Sequence, residues 1–315
     1  VGSRPASVSA VVRLAFVPPY DRTTVLDYLR RRAVPGVESA IAADAGGIDR
    51  RVEGGNYRRV VRLAHGPAVV EIVRFEAAAA EFATAGLDER DRAELERKLG
   101  ALFDCAADPQ AIDAALARDP LLAPSVRRRP GLRVPGAVDG FELAVRAILG
   151  QQVSVAGART LAGRLVLRCG PQLAAPHGAL THAFPSAAEL AAADLDGLGL
   201  TGARIRALRA LAESVAAGRL TLEPARAEAC ATSVAETCAR LVALPGIGPW
   251  TAAYIAMRAL GSADAFPASD LGLRNAFARA GLAADPRAIE SRSQAWRPYR
   301  AYAVLHLWMS LADPA

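Results

Sequence analysis

Residues 244–270, LPGIGPWTAAYIAMRALGSADAFPASD, combine a Gly-Pro turn, a helical run, a short loop and an acid at the mouth of the next helix. Upstream, SVAETCARLVA (233–243) puts Val234, Cys238, Leu241 and Val242 on one helical face. That helix cannot run through Pro245-Gly246, because proline lacks the N–H donor and glycine favours the turn. It restarts at Pro249, a residue suited to a first helical position. The spacing therefore predicts a helix–hairpin–helix over 233–260, with backbone N–H groups and a helix N-terminus facing outward and with Pro245, Gly246, Ile247, Gly248 and Thr251 as the candidate DNA-facing positions. A helix N-terminus of this kind binds phosphate without reading sequence. The plainer reading is an αα-hairpin in which Gly and Pro are only punctuation.

Working outward, Asp270 opens DLGLRNAFARA and is placed to cap that helix. WRPYRAYAVLHLW (296–308) is an aromatic-rich helix, and aromatics at helical spacing are usually core. Toward the N-terminus, Thr201 is placed to cap the second of two helices in 184–218. Before them, FELAVRAILG (141–150) is a strongly apolar helix that halts at Gly150. The uncharged pair Gln151 and Gln152 follows, then a further helix, VSVAGARTLAGRLVLRC. A polar pair between two buried helices is either a satisfied bend or a face turned to a ligand. LLAPSVRRRPGLRVPGAVDG (121–140) reads as a surface connection, with Arg127–Arg129 as a solvated loop.

The first hundred residues read differently. Residues 1–10 are expected to be a disordered lead-in. VVRLAFV (11–17) is β-rich, and PPYD then sets Asp21 as N-cap of a helix whose Val25, Tyr28 and Leu29 share a face. GGIDRRVEGG, NYRRVVRLAHG and PAVVEIVRFE give three more β-like runs, and from about residue 77 the pattern turns helical. The expected organisation is an α+β domain over 11–109 followed by an all-helical body over 110–315.

Composition agrees with a folded chain. Of 315 residues, 52% are hydrophobic and 22% charged, which excludes a disordered polyelectrolyte. No apolar run reaches the roughly 18–20 residues that span a bilayer, and no signal segment opens the chain. No membrane role and an intracellular location are expected. Net charge is +6, and residues 1–109 carry 16 basic and 16 acidic residues, so the whole excess lies beyond them. A basic helical part suits a polyanion, although arginine-rich usage with Lys98 as the sole lysine also fits a coding bias. Cys105, Cys169, Cys230 and Cys238 have no metal-binding spacing and read as buried, reduced thiols.

Taken together, VPPYD, LRVPGAVDGFELAVRAILGQQVSVA, LPGIGPWTAAYIAMRAL and WRPYRAYAVLHLW, in that order, resemble the helix–hairpin–helix DNA glycosylases. Among them the resemblance is to the inducible bacterial 3-methyladenine DNA glycosylase type, the alkylpurine glycosylase II type, and it covers nearly the whole chain. It implies a small α+β domain, a helical body with a cleft, and a base flipped out of duplex DNA before its glycosidic bond is cut. Bond cleavage builds positive charge on the sugar, which a fixed carboxylate stabilises. By the resemblance that carboxylate is Asp270, with Asp264 too early in the loop, and Tyr28, Trp250, Tyr254 and Trp308 wall the base pocket. Electron-rich rings there attract a cationic alkylated base.

The resemblance also implies limits. Strand-cutting members carry a Schiff-base lysine where this chain has Trp250, so no lyase activity is expected. No cysteine quartet follows the hairpin, so no iron–sulfur cluster is expected, and no redox or organic cofactor is required. Relatives hold a monovalent cation, Na+ or K+, on hairpin carbonyls, and the matching positions are Val242, Leu244 and Ile247. At Gln152 the relatives carry an apolar wedge that fills the gap left by the flipped base. Pro249 removes one phosphate-facing N–H, leaving Gly248, Trp250 and Thr251 as donors. The expected partner is damaged duplex DNA, bound by a monomer in the cytoplasm at the nucleoid. Val1 in place of Met leaves room for a preceding domain, and some relatives are fused behind an alkylation-response module. The competing readings are an oxidised-purine glycosylase, which Trp250 argues against, and a non-catalytic damage-binding module, which Asp270 argues against.

Overall fold

The structure, a computed structural model, describes residues 10–41, 56–223 and 231–313. Strand β1 (Ala10–Ala15) alternates its burial, as the apolar positions of VVRLA dictate. Asp21 then caps α1 (Arg22–Arg32) by accepting the Thr24 N–H at 3.1 Å. Strands β2 (Glu38–Ile41), β3 (Asn56–Leu63), β4 (Gly66–Phe75) and β5 (Ala79–Ala85) complete an antiparallel sheet in the order β1-β5-β4-β3-β2. Helix α2 (Arg92–Leu102) follows, and its Leu95, Leu99 and Leu102 join Val25, Leu26 and Leu29 of α1 against one sheet face.

Two expectations fail here. Residues 79–85 were expected to be helical but form β5, because the alanine-rich run pairs on both sides, with β1 and β4. Tertiary pairing overrides alanine's helix preference. The ESAI run at 38–41, not expected as a strand, pairs with β3. The expected run at 46–55 and all but the last residue of the lead-in lie outside the described residues.

The remaining chain is dominated by helices: α3 (Pro109–Leu116), α4 (Ala123–Arg128), α5 (Gly140–Leu149) and α6 (Val155–Cys169). A short hairpin, β6 (Gln172–His177) and β7 (Leu180–His182), interrupts the all-helical body that was expected. Helices α7 (Ala187–Ala192), α8 (Gly202–Ala216), α9 (Ala231–Val242), α10 (Pro249–Arg258), α11 (Leu271–Arg279), α12 (Pro286–Ser293) and α13 (Arg300–Ser310) complete it. Thr201 caps α8 as expected, accepting the Arg204 N–H at 3.3 Å.

The connection over 121–140 is not surface. It contains α4, and Leu132, Arg133, Val134 and Val138 are buried. Arg133 is affordable inside because backbone carbonyls of Ala107 and Val17 receive its guanidinium. Arg129 likewise leaves the solvated-loop reading, since it pairs with Asp313. Cys105, Cys169 and Cys238 are free but only half-buried, and Cys230 lies outside the described residues.

One core joins α5 (Val145, Ile148, Leu149) to α6, α8 and α10 and reaches Val60 and Val69 on the second face of the sheet. Burying each such side chain contributes about 1.5–3 kcal/mol. A buried ion network crosses the same seam. Arg59 of β3 donates to Glu142 of α5 at 2.7 Å and to Glu38 of β2 at 3.3 Å, and Arg146 of α5 bridges both carboxylates. Removing one partner from such a set costs about 3–5 kcal/mol, because the others stay buried and charged. This seam fixes α1 of the sheet layer against the helical body. Arg146 also donates to the Arg32 carbonyl at the end of α1 at 2.7 Å, and Tyr28 of α1 belongs to the core of the helical body rather than to the sheet core.

Candidate active site

Helices α9 and α10 form the expected hairpin. Gly246 has φ +77°, and an added Cβ would stand 2.9 Å from the Ala207 Cβ, so the turn and the close approach of α8 both require glycine. Gly248 is the N-cap of α10, has no side-chain cap, and faces open space where a Cβ would meet nothing within 4 Å. Pro245, Gly246, Gly248 and Pro249 are exposed, whereas the Ile247 and Thr251 side chains are buried. Ile247 and Thr251 can therefore offer only backbone atoms to a partner. Val242, grouped with Val234, Cys238 and Leu241 on one helical face of α9, is 43% exposed at the end of the helix, whereas Leu241 beside it is buried.

The Gln pair splits into two jobs. Gln151 Nε2 donates to the Gly246 carbonyl and to Thr251 Oγ1, both at 3.0 Å, while its own carbonyl accepts from Arg204 at 2.6 Å. It is the satisfied bend, and it locks the α5–α6 break onto the hairpin. Gln152 is exposed with φ +57°, in the left-handed region, and is followed in the chain by exposed Val153 and Val155.

Asp270 is 8% exposed and caps α11 through its Oδ1, which accepts the Leu273 N–H at 3.0 Å. The same Oδ1 accepts from Trp308 Nε1 at 2.8 Å, and Oδ2 accepts from Trp250 Nε1 at 2.9 Å. Three N–H donors thus converge on one carboxylate at a helix N-terminus, where the macrodipole also favours negative charge. Gly272 makes room for this: a Cβ there would stand 2.8 Å from the Trp308 ring and 2.9 Å from Asp270 Oδ1. The competitor, Asp264, is spent on Arg297 and Arg300.

Trp250 stacks on Tyr254 with ring centres 5.4 Å apart, and Trp308 lies 6.4 Å from Tyr254 on another side. Tyr28 reaches the same place from α1, its hydroxyl 3.2 Å from that of Tyr254. All five residues line one cavity of about 380 Å³. The structure thus brings Tyr28, Trp250, Tyr254, Trp308 and Asp270 together.

Two arginines in this cavity were not singled out from the sequence. Arg258 is buried, donates to both tyrosine hydroxyls, at 2.8 Å for Tyr254, and is held by the carbonyls of Pro135 and Gly136. Arg32 lies over the Tyr28 ring, 3.7 Å from its centre. A signal existed for each: both lie four residues after a pocket tyrosine on the same helix. Burial raises the Tyr28 hydroxyl above its ordinary value, only partly offset by Arg258 and Arg32. For Tyr254 burial also pushes up, but Arg258, Arg32 and the Tyr28 hydrogen bond outweigh it and hold the phenol below its ordinary value. The opposite directions have one cause. Two guanidiniums ease loss of the first proton from the pair, and the first phenolate then opposes the second.

The chain matches two family models, the AlkA N-terminal domain over residues 11–139 and the HhH-GPD superfamily of base excision DNA repair proteins over 145–301. It is 37% identical over 298 residues to DNA-3-methyladenine glycosylase 2 of Escherichia coli, covering 94% of this chain and 95% of that protein. It is 42% identical over 316 residues to a Mycobacterium tuberculosis protein described as a probable bifunctional transcriptional activator/DNA repair enzyme AlkA. Against that relative it covers 99% of this chain but spans only 59% of the relative's length. The solved structure of 3-methyladenine DNA glycosylase from Archaeoglobus fulgidus shares the fold, with a TM-score of 0.74 at 20% identity over 95% of this chain and 97% of that one. An α+β layer, a helical body carrying the hairpin, and relatives that match along nearly the whole sequence lead to one assignment: the chain belongs to the helix–hairpin–helix DNA glycosylase superfamily, in its 3-methyladenine DNA glycosylase II branch.

Proposed function

We propose that the protein is a monofunctional DNA glycosylase that hydrolyses the N-glycosidic bond of alkylated purines, of the 3-methyladenine and 7-methylguanine type, in duplex DNA. It would act in base excision repair. The observation that carries this reading is Asp270, held by two indole N–H groups at the wall of an aromatic cavity large enough for a base. A flipped base stacks between Trp250, Tyr254, Trp308 and Tyr28. Asp270 stays at the sugar, where its fixed charge stabilises the cation that develops as the bond breaks. The alkylated base is already a good leaving group, so water completes the reaction without a strong general acid. Trp250 has no amine to form a Schiff base, and no lyase step follows.

The hairpin serves as the backbone clamp. Exposed Pro245, Gly246 and Gly248, with the backbone of Ile247 and Thr251, face one strand, and Gln151 holds this surface to the α5–α6 break. Gln152 enters the gap left by the base and can hydrogen-bond to the orphaned partner. No organic cofactor is needed. The carbonyls of Val242, Leu244 and Ile247 would hold a Na+ or K+ ion. Neutral hard oxygens suit such an ion, and the Leu244 carbonyl accepts only the long 3.3 Å bond from Ile247 within the turn. The ion would add positive charge beside a bound phosphate.

We place the domain boundary near residue 109, because α3 and α4 pack with α11 and α13 rather than with the sheet. The protein works as a monomer in the cytoplasm at the nucleoid. Among the described residues no helix is long and apolar enough to cross a membrane. Free-base release from methylated duplex DNA, followed by chromatography, tests the reading. Release of 3-methyladenine and 7-methylguanine is expected, and tight binding without release would return the protein to a damage-binding module.

A further inference from the structure

The floor of the cavity contains polar chemistry that stacking alone does not use. Arg258 donates to the oxygens of both Tyr28 and Tyr254, so an acceptor position on each hydroxyl is occupied. The two hydroxyls lie 3.2 Å apart, and one hydrogen spans them. The second hydroxyl hydrogen has no acceptor among the described residues. Arg32 adds a guanidinium on the Tyr28 ring, and among the described residues it has no carboxylate partner. Arg258 has none either, its partners being two phenols and two carbonyls. The floor is therefore rich in donors and positive potential.

Its place in the site says which part of a base meets it. The Trp250 side chain stands between, its N–H on Asp270 and its ring stacked on Tyr254. On the glycosylase reading above, a purine with its glycosidic bond at Asp270 would turn its six-membered ring toward the tyrosine hydroxyls, which line the same cavity. Resting on the glycosylase reading above, we infer that Tyr28, Tyr254 and Arg258 select alkylated purines bearing an exocyclic oxygen at C6 over those bearing an amine. An oxygen accepts the uncommitted O–H, whereas an amine turns its own N–H groups toward donors. Mismatched buried polar groups are the strongest source of discrimination between bases of similar shape.

The test compares 7-methylguanine, which has the oxygen, with 3-methyladenine, which has the amine. Both carry a positive charge in DNA, so charge cancels from the comparison. Single-turnover release of the two is measured from one methylated duplex with the wild type, Tyr28→Phe and Tyr254→Phe. The ratio of 7-methylguanine to 3-methyladenine rates is expected to fall about tenfold in the variant that lacks the uncommitted O–H, the effect of one hydrogen bond. A ratio unchanged in both variants would overturn the inference. In a second arm, tryptophan fluorescence is titrated with free hypoxanthine and free adenine. Tighter hypoxanthine binding by the wild type is expected, and equal or reversed affinity would overturn the inference. A wild type that releases neither base would sink the glycosylase reading instead, and the fluorescence arm would still decide the floor's preference.

Discussion

Trp250 and Asp270 are joined by an indole N–H to Oδ2 hydrogen bond of 2.9 Å. Trp250 is thus an orienting group for the carboxylate. Its ring also walls the cavity by stacking on Tyr254. One side chain therefore joins the aromatic wall of the cavity to the buried carboxylate.

That arrangement predicts the outcome of a trapping experiment. With no amine at Trp250, borohydride added during turnover on methylated duplex should leave no covalent enzyme–DNA adduct. An adduct mapping to the cavity would overturn the monofunctional assignment.

The Gln pair offers a separable test. Gln151→Ala removes two side-chain hydrogen bonds to the hairpin and should cost about 1–3 kcal/mol of stability, lowering the unfolding midpoint. Gln152→Ala removes an exposed side chain and should leave that midpoint within about 0.5 kcal/mol. It should instead slow base release from duplex and spare release from single strands. A reversed pattern, with Gln152 structural and Gln151 neutral, would contradict the division of roles.

If the hairpin grips phosphates, affinity should fall with salt by about 0.9 log units per log salt for each phosphate contact. Gly248→Val places a branched side chain at the open end of α10 without an internal clash. Binding to damaged and undamaged duplex should weaken alike. Loss confined to damaged duplex would mean the hairpin reads the lesion rather than the backbone.

Asp104 predicts a pH effect away from the cavity. Burial raises its carboxyl to about 6, against the lowering influence of the Tyr302 hydrogen bond and Arg133. An unfolded aspartate titrates near about 3.9, so between the two values the folded state binds more protons. Stability from this group is therefore lost as pH rises from about 4 to about 6. Asn suits its positive φ of 50°. Asp104→Asn should stabilise the protein by roughly 1–2 kcal/mol at pH 7.5 and by much less at pH 4.5. Equal gains at both pH values in urea unfolding would contradict this.

The sequence was most legible where local chemistry decides structure. Asp21, Thr201 and Asp270 all cap the helices they precede, because a short acceptor before an apolar periodic run has little else to do. It was least legible where pairing or burial is set at a distance. The alanines of β5 are strand only because β1 and β4 flank them. Arg133 is interior only because distant carbonyls reach it. Within the site, the aromatic walls and Asp270 followed from the family resemblance. The four-residue spacing of Tyr254 and Arg258 made their meeting readable, but nothing local says that Arg258 also reaches Tyr28 on another helix or that Gly272 makes room for Trp308.

The central claim is that the Asp270 charge, and not its cap, drives base release. Asp270→Asn keeps an oxygen for Leu273 and Trp308 but turns an amide toward the Trp250 N–H. A stability cost of about 1–3 kcal/mol is expected, with the fold retained. Single-turnover release of 3-methyladenine at saturating enzyme should fall by about 10²–10³, the usual loss for one well-placed electrostatic stabiliser. A folded Asn variant that releases the base at the wild-type rate would reduce Asp270 to a helix cap and contradict the account.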